Sequence, residues 1–482
     1  MSEAARGSSS PSAPSSARPA PPPLPLEGIR IIDLGGIGPG PFAGMVLADL
    51  GAELIRIHRP QEAAGDRGGV GMGPVNPVLD RGKRSLVLDL KSAAGVDALR
   101  RLVRTADGVL EGFRPGVAEK LGLGPEDLMT ENPALVFGRV TGWGQTGPDA
   151  RLAGHDMNYI AGAGLLSQLG RADDAPQFPA NLAGDFGGGG MSLALGIVAA
   201  LLRARISGTG AVVDATMGDG ANLLWAMQFG FEAQGLWREG RGENLLDSGA
   251  PFYDVYRTAD GEYVSVGCIE PQFFEEFVEK LSIADRLPAM SPGEHRHPKH
   301  WAAVRAVFTD AVGSRTRAEL EETFAGSDAC VMGIRTWAEA EADPHNVARD
   351  LFYRDEADVR QPAPAPRFAD LGGASWAGAA DAVASAGTGA AAGGAAGEGS
   401  ASSGAGTGVG AGTDAATSTG DGAAGAGAGA AAGAARPVRG GGEPYTQPAP
   451  APRVGEHTEE LLASAGLTAD EVAALRDSGA LG

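Results

Sequence analysis

Cysteine is scarce: the 482 residues hold two, Cys268 and Cys330. That excludes a disulfide framework, and their separation fits neither a paired zinc-ligand nor a redox spacing, which implies the reducing cytoplasm. Positive charge is also short. With 39 Lys and Arg against 60 Asp and Glu, the formal charge is -21, which argues against nucleic acid or an anionic membrane as the main partner. An anionic ligand would need a local basic pocket. No stretch approaches the apolar length that spans a bilayer, and the start lacks the basic end and apolar core of a signal peptide, so a soluble chain is expected.

What is present is long enough for two domains. Residues 1–24, rich in Ser, Pro and Ala, and residues 372–442, nearly all Ala, Gly, Ser and Thr, carry too little large apolar surface to offset the entropy of ordering. The first is expected to be a disordered extension and the second a flexible insert. QPAPAPR occurs at 361–367 and again at 447–453, bracketing that insert, as if one extended segment had been duplicated.

The run IRIIDL, the glycine-rich turn GGIGPGPFAG, the helical pattern MVLADLGAEL and the run LIRIH make a strand, turn, helix, strand unit. The alternation continues through SLVLDL, AGVDALRRLVRTA, GVLEGF, a short helix at 125–131 and ALVFGRV, so a parallel sheet with crossover helices is the natural architecture. Gly36, Gly38 and Gly40 match GxGxxG imperfectly, and Pro39 and Pro41 crowd the turn. Where a ribose-binding acid would stand, the chain carries Arg56, His58 and Arg59, which suits a phosphate, although ordinary solvated strand-end charges fit as well. Ligands of open α/β sheets gather at the carboxyl ends of strands, which favours Arg114 and the Arg56–Arg59 group over Arg81, Lys83 and Arg84, which precede a strand. FYDVYRT and EYVSVG alternate around Asp260 and Gly261 as a hairpin, near which a second domain begins.

Two polar, glycine-rich breaks between apolar segments hold possible proton carriers: GHDMNY with His155, and GDFGGGG with Asp185. A lone loop histidine is more often structural, and an aspartate before a helix can simply cap it. Four following glycines exceed what a cap needs. They would let a substrate approach the main chain, with exposed N–H groups holding a developing oxyanion, which points to enolate chemistry. Glu270 before Pro271 reads as a helix-start acid. His295, His297 and His300 in GEHRHPKHW match no common metal spacing, and Arg296 and Lys299 would repel a cation, so a surface loop and no metal are expected.

Taken together, GIGPGPFAGMVLADLGAE, EGFRPGVAEKLGLGPEDL, TGWGQTGP, GHDMNY, NLAGDFGGGGM, GAPFYDVYRTADG and IEPQFF resemble the alpha-methylacyl-CoA racemases, within the family III CoA-transferase superfamily. The resemblance runs from Pro25 to about Phe368 and resumes at the tail. It implies a large Rossmann-like α/β domain (25–227, 331–371 and the tail 443–482) and a smaller α+β domain (228–330), in an interlocked homodimer. It implies interconversion of R and S 2-methylacyl-CoA thioesters with no metal or redox cofactor, coenzyme A being part of the substrate. His155 would serve one face of a planar enolate and Asp185 the other, with Glu270 supporting the histidine and Asp156 helping to orient it. The amide of Asp185 or of the glycines after it would hold the thioester oxygen, and Arg56, Arg59, Arg114 and, less closely matched, Lys120 would surround the CoA phosphates. The alternative is CoA transfer, in which Asp156 would form an acyl anhydride. His155 before that aspartate favours the racemases, and retention of His155, Asp185 and Glu270 together counts against a non-catalytic CoA-binding protein.

Overall fold

The apolar run Arg30–Asp33 becomes β1, buried almost throughout, as the inner strand of a parallel sheet must be. This computed structural model describes residues 24–65, 73–368 and 447–481, and the backbone of a short antiparallel pairing, Val438–Arg439 with Glu443–Pro444. The expected disordered start and the Ala/Gly-rich insert lie, but for Leu24 and Val438–Arg439, outside the described residues. One compact unit comprises Pro23–Val347, Leu351–Ala365 and Pro448–Gly482. In the other (Met1–Pro22, Ala348–Asp350, Pro366–Gln447), Arg367 donates to the carbonyls of Arg349 and Asp350.

In the first unit, β1 is followed by α1 (Pro39–Asp49), β2 (Glu53–His58), α2 (Pro60–Ala63), β3 (Lys83–Val87), α3 (Ala93–Val103), β4 (Gly108–Glu111), α4 (Val117–Lys120), α5 (Pro125–Glu131) and β5 (Val136–Thr141). Next come α6 (Asp156–Gly162), a π-helix Leu182–Met191 running directly into α7 (Ser192–Ser207), β6 (Ala211–Thr216), α8 (Met217–Leu224) and α9 (Ala226–Ala233). The six strands are all parallel, in the order β3-β2-β1-β4-β5-β6, the two-winged order of dinucleotide-binding sheets. Alternate residues of each strand serve opposite faces. Ile32, Ile55 and Leu86 pack with Leu99 and Leu102 of α3 and with Leu461 and Leu462 of the tail, whereas Ile31 and Leu54 pack with Leu47 of α1 and with Leu193 and Ile197 of α7. Gly138 in β5 makes the second contact possible, since a Cβ there would stand 2.8 Å from Ile197 Cδ1.

A second core, from Ala250 to Ala329, lies beside β7 (Asp254–Arg257), β8 (Tyr263–Val266), α10 (Pro271–Leu281), α11 (Trp301–Gly313) and α12 (Arg317–Thr323). β7 and β8 form the expected hairpin, with Gly261 at φ 85°, and β9 (Val331–Gly333) adds antiparallel to β8. After α13 (Trp337–Ala342), the pair β10 (Phe352–Arg354) and β11 (Arg360–Pro362) leads to buried Arg81, which donates to Gln361 Oε1 at 3.2 Å and to the Pro362 carbonyl at 2.8 Å. The next residue, Gly82, donates its amide to the Ala449 carbonyl at 2.7 Å. Two helices, α14 (Thr458–Ser464) and α15 (Ala469–Asp477), close the tail on α3.

One expectation fails here. The π-helix and α7 form one 26-residue helix, Leu182–Ser207, of mean hydropathy 1.5, long and apolar enough to cross a bilayer by length and composition. In the sequence the stretch reads as a glycine-rich break followed by an apolar segment, which hides a single run of that length. The chain packs it as a core helix between α1, α8 and the sheet.

Candidate active site

The strand order reverses between β1 and β4, and the crevice outside their carboxyl ends is where open α/β sheets bind ligands. β1 ends on Asp33, whose carboxylate accepts from the Gly35 amide (2.9 Å) and from Arg56 Nη1 (3.0 Å to each oxygen). Burial opposes that charge, but Arg56 and Lys83 outweigh it and hold Asp33 below the usual carboxylate range. Arg56 Nη2 also takes the Gly36 carbonyl at 3.1 Å, so the glycine turn is tied down from both sides. β4 ends on Glu111, whose side chain accepts the Phe113 amide (2.5 Å) and Arg139 Nε (2.7 Å) and thereby shapes the turn that delivers Arg114.

His155 is the exposed residue that precedes α6. Asn158 Oδ1 accepts its amide at 3.0 Å, which starts the helix there. The helix is held from the TGWGQTGP loop. Trp143 meets the Tyr159 ring edge-on at 5.0 Å, a Cβ at Gly142 would fall 1.9 Å from that ring, and the Tyr159 hydroxyl donates to the Gly154 carbonyl. Among the described residues the amides of Asp156 and Met157, the first two of α6, carry no hydrogen bond.

Asp185 lies inside the π-helix, not at a helix cap. Its Oδ2 accepts from Asn181 Nδ2 at 3.2 Å, and a Cβ at Gly38 would stand 2.8 Å from that oxygen, so the glycine turn of β1 passes directly over the carboxyl. Gly38 adopts φ 71°, a backbone state that a side chain there would strain. Burial pushes the Asp185 carboxyl above its ordinary value; Asn181 opposes the rise, the Asp156 charge adds to it, and His155 opposes it. The Asp185 amide donates to Asp156 Oδ2 at 2.6 Å, and His155 is the residue before Asp156, so this bond ties the segments that carry His155 and Asp185 together.

Three expected roles are corrected. The Asp185 amide is unavailable for an oxyanion, because it donates to Asp156 Oδ2 at 2.6 Å, as the Gly184 amide does at 2.7 Å. The Asp156 carboxylate, 5% exposed, is bonded to the π-helix, and no hydrogen bond joins it to the His155 ring among the described residues. The glycine run is a packing surface: a Cβ at Gly188 would meet the Met217 carbonyl at 2.7 Å, and one at Gly190 the Phe42 ring at 2.6 Å. Phe186 stacks on Phe42 at 4.6 Å, fixing the same helix against α1.

A family model described as CoA-transferase family III matches residues 26–381. The chain belongs to that family. It is 45% identical to the alpha-methylacyl-CoA racemase of Mus musculus over 343 residues, 71% of this chain and 86% of that protein. It is likewise 45% identical to the alpha-methylacyl-CoA racemase of Homo sapiens over 342 residues, again 71% and 86%. A crystal structure of a Mycobacterium tuberculosis protein named as a probable fatty acyl-CoA transferase superposes with TM-score 0.61 at 30% identity, covering 72% of this chain and 94% of that one.

The remaining expected residues of this family III chain lie as follows. Arg114 is exposed beyond β4, near enough to act on Tyr159, and among the described residues makes no ion pair. Lys120, at the end of α4, is exposed. Arg59 is exposed and bonded to Glu62 at 2.9 Å, whereas Arg56 is half-buried in its pair with Asp33, an anchor for the turn. Glu270 is the exposed residue before α10, with Cys268 and Cys330 for neighbours, and no hydrogen bond joins it to His155 among the described residues. The histidine cluster is spent locally: buried His295 Nε2 meets the Ile269 carbonyl at 3.0 Å, His297 accepts the Lys299 amide, and His300 faces Glu294. Asn181 and Tyr159 went unremarked in the sequence, and Gly38 was noted only for an imperfect GxGxxG match. Asn181, four residues before Asp185, was the one with a readable signal, a helical spacing that awaited knowledge of the helix.

Proposed function

We propose that this chain is a racemase of 2-methylacyl-CoA thioesters. The observation that carries the reading is the division of labour between the two aspartates: Asp156 is occupied by two amides, while Asp185, partly desolvated, stands beside His155. One base takes the α-proton, the C–H electron pair becomes the C=C of an enolate, and the other side chain returns a proton to the opposite face. The reaction changes no oxidation state. The free amides at the start of α6 are the donors we assign to the thioester oxygen, in place of the Asp185 amide. Arg114 at the switch point, with Arg59 and Lys120, would face the CoA phosphates, and Arg56 would hold the turn beneath them. The substrate class takes further support from the racemase names of the mouse and human relatives.

Glu270 fits this scheme through a homodimer in which the small domain of a second copy reaches His155. The outer face of α7 supports a partner of this kind, since Leu195, Leu202 and Ile206 are 71%, 63% and 79% exposed on one stripe. The transferase alternative needs Asp156 as nucleophile, and its burial and double acceptance work against that role.

The test is incubation of each enantiomer of a 2-methylacyl-CoA with the enzyme in D2O. Racemisation with deuterium gained at the α-carbon is expected. Absence of exchange, with CoA movement once an acceptor acid is added, would overturn the proposal in favour of transfer.

A further inference from the structure

The mechanism above uses the Asp156 amide but gives its carboxylate no task, although two backbone amides hold that carboxylate. Its Oδ2 accepts the amides of two consecutive residues, Gly184 at 2.7 Å and Asp185 at 2.6 Å. The helical ladder would not bring these two amides to one acceptor, so the carboxylate fixes the turn of π-helix from which the Asp185 side chain leaves. A Cβ at Gly184 would stand 2.7 Å from Asp156 Oδ2, so the backbone must be bare there for the two elements to approach. The second oxygen, Oδ1, is buried and has no hydrogen-bond partner among the described residues, an arrangement that costs stability. Asp156 begins α6, directly after His155, so one residue joins the element that carries the first base to the turn that carries the second.

We infer that Asp156 is the positioning residue of Asp185: its carboxylate sets the orientation of Asp185 relative to His155. The inference rests on the two-base reading above. It assigns the Asp156 side chain neither contact with substrate nor a covalent step. Because the two faces of the enolate are served by different bases, a defect in the placement of Asp185 must fall on one enantiomer more than on the other. A general loosening of the fold would fall on both.

The experiment measures α-proton exchange in D2O from each enantiomer of a 2-methylacyl-CoA with the full chain, in wild type, Asp185→Ala, Asp156→Ala and Asp156→Asn. Asp185→Ala identifies the enantiomer that depends on Asp185. Asp156→Ala is expected to lower exchange from that enantiomer by ~10-fold or more relative to the other, which should exchange without inversion. The Asn side chain keeps an oxygen for both amides and is expected to restore the ratio, while removing the charge moves the rise of Asp185-dependent exchange to lower pH. If Asp156→Ala does not fold, the Asn variant decides through that pH shift. An unchanged ratio in the Ala variant, or no shift in the Asn variant, overturns the inference. If wild type exchanges neither enantiomer, the racemase reading itself fails, and the two failures are told apart.

Discussion

Asp156 and Asp185 are two carboxyls that one stretch of backbone brings together, and the fold treats them in opposite ways. Asp156 accepts amides and is buried; Asp185 is partly desolvated and held by one weak donor, Asn181. That donor favours the charged form, so Asn181→Ala should raise the Asp185 pKa further. A base acts deprotonated, and the rise of Asp185-dependent exchange should therefore move to higher pH, the direction opposite to Asp156→Asn. A pH profile of exchange checks this, and an unmoved midpoint would remove Asn181 from the site. At this scale the sequence was informative about identity and poor about partners. His155 and Asp185 stood out by their polar, glycine-rich surroundings, but Arg56 looked like a free strand-end cation because Asp33, its partner, is on another strand. Strand pairing, not local sequence, decides such neighbours.

At the level of elements, four successive glycines look like a loop, and single-residue propensity favours that reading. The chain makes a helix because α1 and α8 press on it from two sides. A Cβ at Gly220 of α8 would stand 2.0 Å from the Gly188 carbonyl, so neither helix tolerates a side chain at the crossing. Gly220→Ala should cost at least ~1–3 kcal/mol of stability through overpacking. Gly230→Ala, in α9 with open space around it, should be neutral or stabilising by up to ~1 kcal/mol. Thermal unfolding of the two variants checks the contrast, and equal melting temperatures would refute the crossing as a constraint. The strands were easier. Continuous apolar runs such as Ile31–Ile32 are written for burial on both faces, and the β7–β8 hairpin announced itself by alternation around Asp260 and Gly261.

For the whole molecule, the six-stranded order followed from the alternation of strands and helices, whereas the exposed apolar stripe on α7 could not be seen until the buried face was known. Leu202 and Ile206 are exposed on α7, so changing both to Glu should leave the protomer folded and, on the proposal that a second copy docks there and supplies Glu270, yield a monomer and lower racemisation by at least ~10-fold. Light scattering with parallel activity measurement checks this, and a fully active monomer would exclude a shared site. The described residues also tie Gln361 and Ala449 to consecutive residues, Arg81 and Gly82. With both ends moored at one point and the same seven-residue sequence at each, a change in the number of residues between them should leave these two bonds intact, because each doubling of a closed loop's length costs only about 0.6 kcal/mol.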